Sequence, residues 1–116
     1  MKVLSLFDGI SCGRLALERA NLPVEKYDAF EIDRYAIAVS QNNYPDIVQH
    51  GDVFNGNFKQ FKGYDLLLGG SPCTYWSVAK KERETTADGE GFRLFMEYMR
   101  AVSYTHLRAH ETLSDL

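Results

Sequence analysis

The chain has 116 residues and a mass of 13.2 kDa, room for one domain at most, which excludes a two-domain organisation. With 45% hydrophobic and 25% charged residues, seven Phe, seven Tyr and one Trp, it has material for a core and is not disordered by composition. A net charge of −3 supplies no bulk positive field, so any contact with nucleic acid must be local or lie on sequence not present here.

Lys2 to Phe7 is a short apolar run ending at Asp8-Gly9, and a helical pattern carrying Leu15, Ala16 and Ala20 starts at Gly13. This spells strand, glycine turn and helix. Asn21 and Pro23 end the helix, and Tyr27 to Ile32 offers a second strand that stops in the acids Glu31 and Asp33. Asp33 is placed to cap a second helix over Arg34 to Asn43, which Tyr44-Pro45 closes, because proline biases its predecessor away from helix. Ile47 to His50 reads as a third strand. Asn55 to Gly63 has turn chemistry and weak periodicity, and Tyr64 to Leu68 makes a continuous apolar run before Gly69-Gly70, the pattern of a buried fourth strand. Ser71 to Gly91 reads as a long polar loop, followed by Phe92, Phe95, Met96, Met99 and Val102 at amphipathic-helix spacing. Strands alternating with helices predict an α/β fold, a parallel sheet that binds ligands beyond the carboxyl ends of its strands.

The longest apolar stretch, around Leu66 to Leu68, is far below the roughly 20 residues that span a bilayer, and the first strand lacks a signal-peptide cleavage pattern. These features point to a cytoplasmic protein without a membrane partner. Cys12 and Cys73 have no paired spacing, which disfavours a disulfide framework or a zinc site. His106 and His110 followed by Glu111 lack a strong third ligand, so no metal is expected.

Three strand ends carry candidate ligand groups in order. The turn Phe7-Asp8-Gly9-Ile10-Ser11-Cys12-Gly13 lets backbone N–H groups approach a ligand, or is an ordinary tight turn; it lacks both the G-x-G-x-x-G pattern and the P-loop lysine. Glu31 is placed to accept hydrogen bonds from a pair of ribose hydroxyls, or is a solvated carboxylate. Asp52 can accept from an adenine amino group, with Ile32 and Val53 as apolar faces for the ring. In Gly69-Gly70-Ser71-Pro72-Cys73-Thr74-Tyr75-Trp76-Ser77 a cysteine follows a buried strand directly, which suits a nucleophile better than a buried thiol. Tyr75 and Trp76 either cap the core or flank a planar base.

Taken together, VLSLFDGISCGRLALERA, the Glu31-Ile32 strand end, Gly51-Asp52-Val53, DLLLGGSPCTYWS and GEGFRLFMEYMRAV resemble the first five motifs of the cytosine-C5 DNA methyltransferases. The wording is closest to the de novo type and to phage and bacterial relatives. The resemblance implies a Rossmann-like S-adenosylmethionine-dependent methyltransferase fold, covering about four parallel strands over residues 1–102. It also implies that Phe7, Gly9 and Gly13, in the turn that includes Asp8, Ile10, Ser11 and Cys12, cradle S-adenosylmethionine. Glu31 would hold its ribose and Asp52 its adenine amino group, Ile32 and Val53 would sandwich the ring, and Leu94 would form an apolar wall. Pro72 would shape the loop of Cys73, the nucleophile toward C6 of a cytosine flipped out of double-stranded DNA, and Ser77 would touch the DNA backbone.

The sequence departs from the family pattern in three ways. Thr74 stands where Gln or Asn is more usual, and Cys12 fills a variable small position that reads as packing. The Glu-Asn-Val motif is absent, and without its glutamate attack by Cys73 lacks electrophilic help at cytosine N3. The chain is therefore expected to be part of such an enzyme and inactive in methyl transfer by itself. Residues 103–116 leave the family pattern, and SYTHLRAHET resembles translated sequencing-adapter text. Two alternatives stand beside this reading: a transfer-RNA cytosine-5 methyltransferase, and a non-catalytic chain that binds S-adenosylmethionine.

Overall fold

The computed structural model describes residues 1–70 and 89–105. The chain runs β1 (Lys2–Leu6), α1 (Cys12–Arg19), β2 (Lys26–Phe30), α2 (Arg34–Asn43) and β3 (Val48–Gln49). Two short 3-10 turns follow, Val53–Asn55 and Phe58–Phe61, then β4 (Leu66–Gly69) and α3 (Glu90–Thr105). The four strands form one parallel sheet in the order β3-β2-β1-β4. Winding proceeds outward from β1 to β3, and β4 then returns to the other side of β1. Leu6 stands level with Phe30 on one side and Gly69 on the other, so the reversal point lies between β1 and β4, where open α/β sheets form ligand crevices.

Alternation along the strands divides the core in two. Leu4, Leu6 and Phe30 face one way and pack with Val53, Phe58, Phe61, Tyr64 and Ala101 of α3. Val3, Tyr27 and Ala29 face the other way and pack with Ile47 and Leu17 of α1. Helices thus cover both faces, as a parallel sheet requires. The expected Asp33 cap is present: its carboxylate accepts from the backbone N–H groups of Tyr35 and Ala36 at 2.9 and 3.3 Å.

Three elements differ from the sequence expectation. The third strand is only Val48–Gln49; Ile47 before it is buried in the core. The stretch read as weakly periodic contains the second 3-10 turn, whose three-residue repeat puts Phe58 and Phe61 together in the core. The last helix turns a different face inward. Its inner side is Leu94, Tyr98, Ala101 and Thr105, while Phe95, Met96 and Met99 are 42%, 48% and 41% exposed. Arg100 sets this rotation. Its guanidinium donates to the carbonyls of Gly56 and Val53 at 3.0 and 3.1 Å and lies 4.5 Å over the Phe58 ring. The Val53 carbonyl also accepts from the Gly56 backbone N–H at 3.1 Å, so Arg100 adds a charged donor to that turn, and this outweighs burial of a few half-exposed apolar side chains.

Gly13 is fixed by close packing of helix on sheet. A Cβ there would stand 2.8 Å from Leu68 Cδ1 and 3.1 Å from the Tyr27 hydroxyl. Gly13→Ala is therefore expected to destabilise the chain by about 1–2 kcal/mol, overpacking outweighing the better helix propensity of alanine. A urea titration measures this, and an unchanged or raised midpoint would contradict it.

Candidate cofactor site

The turn after β1 is bent in an alternating way. Phe7, Gly9 and Ser11 all have left-handed backbones, with φ of 56°, 61° and 69°. For Phe7 and Ser11 this conformation costs about 1–2 kcal/mol each, so something must hold it. The holder is Asp8, whose carboxylate accepts from the hydroxyls of Ser5 at 2.6 Å, Tyr27 at 2.7 Å and Ser11. Burial, the leading cause, keeps the Tyr27 phenol well above its ordinary pKa and hence a donor. Ser11 is also hydrogen-bonded to Ser40 of α2. The side chain of Asp8 is thus occupied inside the turn.

Glu31 links this turn to the end of β2. One carboxylate oxygen accepts from the backbone N–H of Gly9 at 2.8 Å, and the other from those of Ile32 and Asp33 at 2.9 and 3.0 Å. A carboxylate has about four acceptor positions, so one remains for a ligand hydroxyl even with these bonds in place. Past β3, Gly51 takes a φ of 84° and turns the chain, and Asp52 accepts from Phe54 N–H at 2.9 Å.

These strand ends surround a cleft of about 240 Å³. Of the residues expected from sequence, Phe7, Glu31, Ile32, Asp52, Val53 and Leu94 line it together. Ile32 is 73% exposed and offers free apolar surface at the rim, while Val53 is almost wholly in the core. Phe54 and Phe30 add aromatic wall, and Glu90 adds a third carboxylate at the start of α3. Sequence reading missed these three. A phenylalanine closing a strand is ordinary core, and Glu90 is one acid in a polar run. Ile10, Ser11 and Cys12 line a separate groove with Leu15, Glu18 and Tyr44. Gly9 and Gly13 line neither described groove. Cys73, Pro72 and Ser77 lie outside the described residues.

The cleft's lining is acidic and apolar and favours an uncharged or cationic ligand. No Lys or Arg is among its described lining residues; Arg93 pairs with Glu90 at 3.0 Å and stands 5.5 Å from the Phe54 ring centre. Polyphosphate would meet three carboxylates, of which Glu90 alone has a paired cation, whereas hydroxyl donors and a flat apolar ring would find acceptors and apolar walls. Among the described residues there is no group of three or more His, Cys, Asp or Glu side chains that could hold a metal, and no helix long and apolar enough to cross a membrane.

A doubly wound α/β sheet with a strained glycine turn, an acid at the second strand end and a cleft over the carboxyl ends of β1, β2 and β3 defines an open α/β domain with its crevice where such sheets hold ligands. Comparison with known proteins makes this specific. The model of the C-5 cytosine-specific DNA methylase family matches residues 1–106, and the chain belongs to that family. It is 35% identical over 104 residues to the orphan methyltransferase M.SPRI of Bacillus phage SPR, covering 88% of this chain and 23% of that protein. It is 28% identical over 125 residues to the DNA (cytosine-5)-methyltransferase DRM2 of Arabidopsis thaliana, covering 93% of this chain and 19% of that protein. The chain thus spans about a fifth to a quarter of these relatives. Among solved structures, the S. pombe Dnmt2 methyltransferase shares the fold with a TM-score of 0.64 at 18% identity, over 92% of this chain and 30% of that one. The expected Rossmann-like methyltransferase fold is present in its first four parallel strands.

Proposed function

We propose that this chain forms the cofactor-binding and nucleophile-bearing part of a DNA cytosine-5 methyltransferase. The observation that carries the proposal is the convergence of Glu31, Asp52, Ile32 and Leu94 on one cleft at the carboxyl ends of the strands, in a chain of this family. Glu31 would accept from a ribose hydroxyl of S-adenosylmethionine and Asp52 from the adenine amino group. Ile32, Phe54 and Leu94 would cover the ring, and Phe7 with Gly9 and its turn would face the rest of the molecule. Bound there, S-adenosylmethionine supplies an electrophilic methyl group on a positively charged sulfur, and an acidic cleft without a basic lining residue suits that charge.

Cys73 would add as thiolate to C6 of a cytosine drawn out of duplex DNA, which leaves C5 electron-rich and able to take a methyl group. Loss of the C5 proton then breaks the C6–S bond and returns the thiolate. The loop residue Pro72 and the backbone contact of Ser77 complete this part of the reading. A carboxyl group toward cytosine N3 is not supplied by a Glu-Asn-Val motif in this sequence, so the chain unaided is expected to bind cofactor without transferring methyl. DNA is favoured as substrate by the relatives, which include phage orphan methyltransferases and a DNA (cytosine-5)-methyltransferase.

The test is a chimera in which residues 1–102 replace the matching segment of the SPR-phage enzyme. It is expected to transfer labelled methyl groups to C5 of cytosine in duplex DNA and not to transfer RNA. A chimera that folds and binds S-adenosylmethionine but methylates only transfer RNA, or nothing, would overturn the proposal.

A further inference from the structure

One layer behind the cleft, β2 carries a carboxylate that the proposed reaction does not use. Asp28 is 1% exposed. It accepts from His50 Nε2 at 2.7 Å and from the Tyr64 hydroxyl, and Lys26 Nζ stands 3.9 Å away. With Asp28 as carboxylate, Nε2 carries the imidazole hydrogen and donates it. Burial, followed by the bond to Asp28, pushes the Tyr64 phenol well above its ordinary pKa, which keeps it a donor.

His50 is held through its backbone and both its neighbouring rings, with 21% of its side chain exposed. Its backbone N–H donates to Ala29 at 2.8 Å. Its ring stacks on Phe30 with centroids 5.0 Å apart at 21°, and meets the edge of Phe61 at 5.3 Å. Phe30 lines the cleft, and so do Gly51 and Asp52, the residues directly after His50. Gly51 has a left-handed backbone that turns the chain. His50 is therefore the last fixed point before the loop that carries Asp52.

We propose that His50 is a positioning residue for the purine end of the cleft: anchored on Asp28 and stacked on Phe30, it fixes where the loop carrying Asp52 stands relative to Phe30 and so sets selectivity for a 6-amino purine nucleoside. This rests on the reading of Asp52 as the acceptor of the adenine amino group. Removing the Nε2 donor leaves a buried carboxylate with one fewer partner, which it must regain by moving or by admitting water. Either response releases the link between Phe30 and the Asp52 loop without removing any group proposed to touch the ligand.

The experiment is a pair of nucleoside titrations of the full chain followed by NMR, with adenosine and with inosine, which carries a carbonyl in place of the amino group. The wild-type chain is expected to prefer adenosine about 10-fold, the worth of one hydrogen bond lost together with a mismatched acceptor pair. His50→Phe, which keeps a ring but not the donor, is expected to bring the preference to within about 2-fold. His50→Gln, whose amide can reach Asp28, is expected to retain most of it. Tyr64→Phe removes the other donor without touching the loop and is expected to lower stability while the preference stays. Should His50→Phe fail to fold, His50→Asn carries the comparison, because its shorter amide stops short of Asp28. An undiminished preference in His50→Phe or His50→Asn would overturn the positioning role and leave the cofactor reading standing. A folded wild-type chain that binds neither nucleoside, or does not distinguish them, would overturn the cofactor reading itself.

Discussion

Replacing Cys73 by serine in the chimera is expected to abolish methyl transfer, by about 1,000-fold or more, with S-adenosylmethionine affinity changed by less than about 2-fold. A thiol with an ordinary pKa near 8.5 yields some thiolate at neutral pH, and a site can enlarge that fraction, whereas a serine hydroxyl yields practically none. Without addition at C6, C5 of cytosine is not nucleophilic enough to take a methyl group. The same variant should fail to form the covalent adduct that the unsubstituted chimera makes with duplex DNA containing 5-fluorocytosine, where no C5 proton can leave to release the sulfur. Mass spectrometry reads that adduct directly. Residual transfer within 10-fold of the parent would show that another group starts the reaction.

Glu31→Ala is the second large effect expected, and it acts on binding. The carboxylate accepts three backbone N–H groups, from Gly9, Ile32 and Asp33, and would accept a ribose hydroxyl besides. Hydrogen bonds to a charged acceptor contribute about 1.5–3 kcal/mol each. Losing the ribose contact alone should weaken cofactor affinity about 100-fold, or about 2.8 kcal/mol. Freeing the Gly9 N–H should also loosen the left-handed turn, so stability is expected to fall by about 1–2 kcal/mol in a urea titration. Glu31→Gln keeps one carbonyl acceptor and should lie between. Cofactor affinity in Glu31→Ala equal to that of the parent would remove Glu31 from the site.

The placement of Glu31 and Asp52 was legible in the sequence because each follows an apolar run and a parallel sheet puts ligands at those ends. Asp33 was legible as a cap for a similarly local reason. Asp28, His50 and Tyr64 were not. They are far apart along the chain, and a single acid inside a strand run shows no period that marks it as buried. Phe58 and Phe61 were missed because one 3-10 turn is too short for its repeat to be seen. The inner face of α3 could not be read from its own apolar residues, because Arg100 fixes the helix rotation through carbonyls more than forty residues earlier. For the Asp28 cluster and for α3 the missing information was tertiary: which distant backbone or carboxylate takes a partner.

Calorimetric titration of the full chain with S-adenosylmethionine tests the central claim most directly. One-to-one binding, displaced by adenosine and lost in Glu31→Ala, is the expected result. Absence of binding by a chain that far-UV circular dichroism shows to be folded would contradict the assignment of this cleft to the methyl donor.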